Sequence, residues 1–342
     1  MFAADSYRRL LIRVSDFGNR VSFGFRYSGF GFPRLAVMTI TELLESVRRV
    51  EVRTNRLVND TMVGAYLSHF KGRGMDFEEL REYIPGDEVR DIDWNVTYRM
   101  GRPFVKRYRE ERELAMVLAV DVSASSAFGS LLRTKRQFAA EIAGTLAISA
   151  ARSSDKVALL LFTDQVELYL PPRKGRRHIL RLIREMLSFE PKRRGTNIPA
   201  ALAFLNRVLH RRSIVFLLTD FLHSIGPALA QTGAGRGTVE EIGLTNVRHD
   251  LVCVHLHDPR ESTLPAAGLL TIEDAETGEL LEIDSNRAAV REKFANTNAE
   301  RLGDLDRALR RAGVDTLRFS TAEPFAQTLQ AFFETRRGRR RG

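Results

Sequence analysis

Met116-Val-Leu-Ala-Val-Asp-Val-Ser-Ala-Ser-Ser126 is the stretch whose reading decides the fold. Five apolar residues, Met116–Val120, run without a polar face into Asp121. A short, partly β-branched run of this kind reads as a strand buried on both faces, as in the middle of a parallel sheet. Asp121 then stands at the strand's carboxyl end, where open α/β sheets bind ligands. Ser123 and Ser125 follow at alternate positions, so a single turn of backbone offers three hard oxygen donors. Hard oxygens suit magnesium, which takes few protein ligands and keeps several waters. Taken alone, the same residues also read as a serine-rich turn that caps the following helix.

Two later stretches add to this set. Ser213–Leu218 is a second apolar strand, and Phe216-Leu-Leu-Thr219-Asp220 ends it in an acid. Gly195-Thr196-Asn197 opens a helical segment, Ile198–Leu209. In order and setting, Asp121, Ser123, Ser125, Thr196 and Asp220 resemble the metal-ion-dependent adhesion site of von Willebrand factor A domains. The resemblance implies that the two serines and the threonine hold a metal. It implies that the aspartates act directly or through water, and that one position stays open for a partner's carboxylate. The implied cofactor is Mg²⁺ on these five residues, with Mn²⁺ or Ca²⁺ as substitutes.

With 342 residues the chain has room for one large or two modest domains. Its 44% hydrophobic and 28% charged content is ordinary for a soluble globular protein. The formal charge is +10, a balance that raises the question of nucleic acid. Of the 53 Lys and Arg residues, seven are lysine and 46 arginine, a bias that a GC-rich genome produces without any functional demand. Nucleic acid is therefore not an expected partner. Cys253, the single cysteine, lies in an apolar strand pattern and reads as a small buried hydrophobe. A reducing cytoplasm is the expected compartment. No apolar run approaches the roughly 20 residues that cross a bilayer, and no continuous hydrophobic core of a signal peptide is present.

The amino-terminal residues 1–38 carry an aromatic and glycine-rich stretch, Phe23–Phe32, without helical or strand period. They are expected to be disordered, or to lie upstream of a true start at Met38. A helical pattern follows, with Leu43, Leu44, Val47, Val50, Leu57 and Val58 recurring at three- and four-residue steps. Between Phe70 and Glu113, turns are marked at Gly72–Gly74 and at Pro85-Gly86-Asp87. Phe77–Tyr83 and Phe104–Tyr108 read as strands, and Trp94, the only tryptophan, as a core anchor.

At these residues the chain resembles the prokaryotic domain of unknown function 58 family. The resemblance rests on Gly72-Arg-Gly-Met-Asp-Phe77, Arg81-Glu-Tyr83, Pro85-Gly-Asp87, Arg90, Ile92-Asp-Trp94 and Arg99. It continues through Asp121-Val-Ser-Ala-Ser125, Asp258-Pro-Arg-Glu261 and Leu264-Pro265. It implies a von Willebrand A-like, Rossmann-like α/β domain with a doubly wound, mostly parallel sheet. An amino-terminal helix and a small β-containing module precede it. It further implies partnership with a MoxR-type AAA+ ATPase, acting on protein clients in maturation or remodelling. Many members of the family carry transmembrane helices; this chain has no such segment, which implies a soluble, cytoplasmic form. The expected organisation is 1–38 as above, 39–113 helix and small module, 114–335 von Willebrand A-like domain, and 336–342 a solvated basic tail.

From Met116 onward, strand-like and helix-like segments alternate, the pattern of a parallel sheet with helices on its faces. Leu131–Arg152 reads as a helix, Val157–Phe162 as a strand and Val166–Leu170 as an edge strand. Arg173–Leu187 reads as a helix with Ile179, Leu182, Ile183 and Met186 inward. Leu251–Leu256 follows as a strand and Gly268–Asp284 as a hairpin turning at Glu276-Thr-Gly278. Arg287–Ala312, Thr316–Phe319 and Pro324–Glu334 close the chain as helix, strand and helix. His255 and His257 share one strand face and read as structural histidines rather than metal ligands. The basic clusters Arg173–Arg177, Lys192–Arg194 and Arg211–Arg212 read as solvated charge, able to steer an acidic partner.

An Asp after a central strand also serves as the nucleophile of haloacid dehalogenase-type phosphatases, which need a second Asp two residues on. Ser123 stands there instead. No G-x-x-x-x-G-K-[ST] loop is present for nucleotide hydrolysis. The expected function is a metal-dependent protein-binding module. A magnesium-dependent phosphoryl-transfer or nuclease enzyme is the alternative.

Overall fold

The computed structural model describes residues 23–25, 40–58, 75–110, 115–130, 133–222, 237–276 and 278–339. Strand β4 (Ala115–Asp121) lies inside a six-stranded sheet with β5 (Lys156–Phe162), β6 (Val166–Arg173), β7 (Ile214–Thr219), β8 (Asp250–His257) and β11 (Asp315–Ser320). The order is β11-β8-β7-β4-β5-β6. Every pairing is parallel except the β5–β6 edge, which is antiparallel. In the sheet's own count this is the doubly wound order 3-2-1-4-5-6, and the winding reverses between β4 and β7.

The two-residue period of β4 divides the protein into two cores. Met116, Leu118 and Val120 face one core, with Phe138 and Ile142 from α3 (Lys135–Arg152) and the stripe Ile179, Leu182, Ile183 and Met186 from α4 (Arg176–Ser188). Val117 and Ala119 face the other, with Ile198, Leu202 and Leu205 of α5 (Ile198–Val208). That face also takes Ile242 of α6 (Thr238–Arg248) and Leu305 and Leu309 of α8 (Ala288–Arg311). All these strand residues are within 1% of full burial, which is why the run shows no polar face.

Helix α1 (Ile40–Leu57) packs on α3 and α4 through Val50 and adds Val58 just beyond its end. Gly144 makes the close approach possible: a Cβ there would lie 3.2 Å from Val50 Cγ1 and 3.4 Å from Ile183 Cδ1. The last helix, α9 (Ala326–Arg339), docks Leu329 and Phe333 into the same core. It extends past the expected start of a solvated tail at 336. Arg336 pairs with Asp250 (2.7 Å) and Asp315 (2.5 Å), because the helix carries it over the amino ends of β8 and β11.

The small module consists of the antiparallel pair β2 (Met75–Glu82) and β3 (Phe104–Glu110) with the short helix α2 (Trp94–Met100) between them. Asp93 caps α2, accepting from the backbone N–H of Asn95 (3.0 Å) and Val96 (3.2 Å). Gly101 ends it at φ 67°. Trp94 is not a core anchor. It begins α2 and is 64% exposed, and Tyr98 on the same helix is 91% exposed. Two strands and two helical turns enclose too little volume to bury an indole, and α2 buries none of its residues.

A further sheet joins β9 (Leu269–Asp274) to β10 (Leu280–Asp284), with Phe23–Phe25 as strand β1 along the free edge of β9. The rest of 1–38 lies outside the described residues. Among the described residues no helix is long and apolar enough to cross a membrane.

Candidate metal centre

The five candidate residues arrive from three loops at the carboxyl edge of the sheet. Asp121 ends β4, and the chain turns at once into a 3₁₀ turn, Ala124–Ala127. Asp121 Oδ1 accepts from the backbone N–H of Ser123 (2.9 Å), and its Oδ2 accepts from the hydroxyl of Thr219 on β7 (2.6 Å). Ser123 Oγ and Ser125 Oγ lie 3.1 Å apart. Asp220 follows β7, its Oδ1 accepts from the backbone N–H of Leu222 (3.2 Å), and the nearby Ser125 helps to lower its pKa. Asp121, Ser123 and Ser125 are thus linked by hydrogen bonds, and the buried Asp220 acts on Asp121 through its charge across the point where the winding reverses.

Thr196 is placed by its loop. Ala124 N–H donates to the Arg194 carbonyl (3.0 Å), and Asn197 N–H donates to the Thr163 carbonyl at the end of β5 (2.9 Å). Asn197 then caps α5 through its Oδ1, which accepts from Ala200 N–H (3.0 Å). Thr196 itself directs its hydroxyl to Glu276 Oε1 (3.0 Å), in the turn of the β9–β10 hairpin.

The electrostatics set the two aspartates apart. Burial, reinforced by the charge of Asp220, pushes the Asp121 carboxyl up to about 6. Burial acts on Asp220 in the same direction, but the Lys135 ammonium overcomes it and holds Asp220 at about 2. Lys135, 2% exposed, donates to Asp220 Oδ2 (2.5 Å) and to Glu261. Burial, with the charges of Asp121, Asp220 and Asp274, pushes Glu276 up to about 8, against the lowering effect of its bond from Thr196.

Lys135, Thr219, Glu261 and Glu276 carry no role in the sequence reading. The bonds by which they join the site each span 80 or more residues of chain, although Thr219 itself directly precedes Asp220, so no local spacing announces those contacts. One signal was available for Lys135: a lysine kept in a chain that uses arginine almost throughout. Its compact ammonium meets two buried carboxylates, Asp220 and Glu261, at one point. Glu261 lies in the Asp258-Pro-Arg-Glu261 stretch, which forms the helical turn α7 (Pro259–Ser262). Asp258 accepts from Ser130 N–H (2.9 Å), Arg260 N–H (3.0 Å) and the Thr321 hydroxyl (2.8 Å), clamping the loop after the serines to the far end of the sheet. The stretch is therefore the brace behind Asp220.

Phe221, directly after Asp220, has φ 52°, a conformation that costs a bulky residue free energy. Its ring stacks edge-on against His255 (5.9 Å), whose ring lies 5.7 Å from that of His257. Neither histidine's Nδ1 has a hydrogen-bond partner among the described residues. Burial holds His255 well below its usual range, hence neutral. Among the described residues no three His, Cys, Asp or Glu side chains converge as a ligand set. The candidate centre is hydroxyl-rich, with two aspartates, and lies outside that pattern.

The basic clusters are exposed; Arg176 pairs with Glu51 (2.6 Å), and Lys192, Arg193 and Arg194 immediately precede the Thr196 loop.

Among known proteins, the chain is similar to the uncharacterized protein Mb1516 of Mycobacterium bovis. The two are 28% identical over 299 residues, covering 86% of this chain and 90% of that one. It is likewise 28% identical over 170 residues to the uncharacterized protein MAV169 of Mycobacterium avium, covering 49% of this chain and 94% of the relative. Among solved structures it is similar to the conserved hypothetical protein BatB from Bacteroides thetaiotaomicron (TM-score 0.43, 13% identity, 65% of this chain and 98% of that one). It is also similar to an aerotolerance-related membrane protein from Bacteroides fragilis (TM-score 0.42, 15% identity, 66% and 99%). A family model matches residues 79–302, from within β2 to the middle of α8. The chain belongs to the family described as "Protein of unknown function DUF58".

Proposed function

We propose that this protein is a metal-dependent protein-binding module on a von Willebrand A-like fold. Mg²⁺, or Mn²⁺ or Ca²⁺ in its place, would be held by Asp121, Ser123, Ser125, Thr196 and Asp220. The observation that carries the reading is the meeting of two carboxylates and two serine hydroxyls at the reversal between β4 and β7. Doubly wound sheets bind ligands at that reversal. The donors are hard oxygens, and two buried acids that oppose each other's ionisation are relieved by a divalent cation.

The chain's own residues divide the work. Thr219 and the Ser123 N–H fix the Asp121 carboxylate in one orientation. Lys135 holds one oxygen of Asp220, leaving that residue to act at longer range, through water. The cation, when bound, supplies an electrophilic position to which a partner's Asp or Glu adds. The exposed Lys192-Arg193-Arg194 beside Thr196 favour the approach of an acidic partner. The family resemblance supplies the partner class: a MoxR-type AAA+ ATPase, or a client delivered to it, with the module working in the cytoplasm. The ATPase supplies the energy and this chain the recognition.

Surface plasmon resonance between this protein and a MoxR-type ATPase encoded beside its gene tests the reading. Binding lost in EDTA and in the Ser123→Ala/Ser125→Ala variant is the expected result. Binding indifferent to both contradicts the metal-bridged contact.

A further inference from the structure

The β9–β10 hairpin belongs to a different sheet from the candidate ligands. It rests on its own small core of Leu264, Leu270, Ile272, Ile283 and Phe294. Its turn nevertheless reaches the carboxyl edge of the main sheet, where Glu276 Oε1 accepts from Thr196 Oγ1 (3.0 Å). The other carboxylate oxygen lies over the same loop, since a Cβ built on Gly195 would stand 3.7 Å from Glu276 Oε2. The turn is shaped to hold this residue. Asp274 accepts the Glu276 N–H through its Oδ1 (2.8 Å) and the Gly278 N–H through its carbonyl (2.8 Å), with Gly278 at φ 75°. A half-buried carboxylate from a separate element therefore ends on one of the five candidate ligands.

The chemistry of that hydrogen bond matters. A threonine hydroxyl has one proton to donate and two lone pairs to offer. Giving its proton to Glu276 leaves the lone pairs of Thr196 available to a cation. Glu276 does not converge with Asp121 and Asp220 as a third acid of a ligand set, but its bond brings it to a candidate ligand, so a cation held by Thr196 would lie within its reach.

We propose that Glu276 is this site's own carboxylate, taking in cis the position that a partner's carboxylate would take, so that the hairpin must release Glu276 for the partner to bind. The proposal rests on the metal-dependent reading above. It makes the hairpin an internal competitor: one carboxylate leaves the cation as another enters. The partner's affinity is then set against that of a residue already in place.

Mn²⁺ binding to the full chain, followed by electron paramagnetic resonance, tests this with wild type, Glu276→Ala, Glu276→Gln and Asp121→Ala. Loss of an anionic ligand should weaken Mn²⁺ binding about tenfold in Glu276→Ala. Added acetate should restore it there and leave the wild type unchanged. Glu276→Gln keeps an acceptor for Thr196, so it should melt like the wild type without metal and still bind Mn²⁺ more weakly. Wild-type affinity in both Glu276 variants, with loss in Asp121→Ala, overturns the carboxylate in cis and leaves the metal site standing. Absence of Mn²⁺ binding in the wild type, or equal binding in Asp121→Ala, overturns the metal reading and this proposal with it.

Discussion

The carboxyl edge of the main sheet and the small module of residues 75–110 are built on opposite terms. At the sheet edge, charged groups are buried and answer one another: Lys135 lies between Asp220 and Glu261, and Asp121 is held by Thr219 and Ser123. In the module, polar contacts are partly exposed, such as Arg81–Asp87 (2.6 Å) and Lys106–Asp93 (2.9 Å), and the large apolar residues Ile84, Val89, Trp94, Tyr98 and Met100 face outward. The same kinds of residue therefore carry different weight. A charge pair deep at the sheet edge is costly to break, because its partners have no water to fall back on. A pair in the module is screened and worth little.

The largest contrast should appear on removing one cation from each region. Lys135→Met leaves Asp220 and Glu261 buried without their counter-charge and should cost about 3–5 kcal/mol of stability. Arg81→Met should cost at most about 1 kcal/mol. Urea unfolding of the two variants reads the difference, and similar losses would erase the distinction between the regions.

The next effect is on pH. His255 is buried neutral, with its folded value well below the ordinary 6.5. The unfolded chain takes up a proton as pH falls through 6.5 and the folded chain does not. Its contribution to stability is thus complete above 6.5 and lost below it, by up to about 1.4 kcal/mol per pH unit. Asp121, whose folded value is raised to about 6 from 3.8, works the other way, favouring the fold as pH falls from about 6 to 4. The comparison of wild type with His255→Asn isolates the histidine. The variant should lose less stability between pH 7 and 5.5, and equal slopes in both proteins would contradict the buried neutral assignment.

The smallest effect belongs to the module's tryptophan. Trp94→Ala removes an exposed side chain and should shift stability by no more than about 0.5 kcal/mol. A loss of several kcal/mol would show that Trp94 is packed after all.

The contrast also explains what could be read from the sequence. β4, β5, β7 and β8 are continuous apolar runs because helices cover both faces of the sheet. The α4 stripe and the hairpin turn at Glu276–Gly278 were legible for the same reason: burial and turn geometry act locally. Asp121, Ser123 and Ser125 are contiguous, and Asp220 ends a recognisable strand. Thr196 was legible only as a hydroxyl at the start of a helix. The residues that tune the centre, Lys135, Glu261 and Glu276, are joined to it by tertiary contacts alone. In the module, the motif residues serve turns and caps, as when Asp87 accepts from Ile84 N–H (2.9 Å) and Asp93 caps α2. Periodicity carries no trace of such contacts, which is why Trp94 was misread. Helix α6 was not anticipated, although Glu240 and Glu241 in its first turn and Arg248 in its last suit a helix's ends.

Isothermal titration calorimetry of Mg²⁺ into the wild type and Asp121→Ala tests the central claim most directly, with circular dichroism to confirm that both are folded. Asp121 accepts two hydrogen bonds that hold β4 to β7 and to its own loop, and the sheet around it is buried on both faces. Asp121→Ala gives up those two bonds, but the apolar packing on both faces of the sheet remains, so the variant should fold. A single Mg²⁺ site in the wild type, absent from folded Asp121→Ala, is the predicted result. Equal Mg²⁺ affinity in the two proteins, or no Mg²⁺ binding by the wild type, would contradict the metal centre at the β4–β7 reversal.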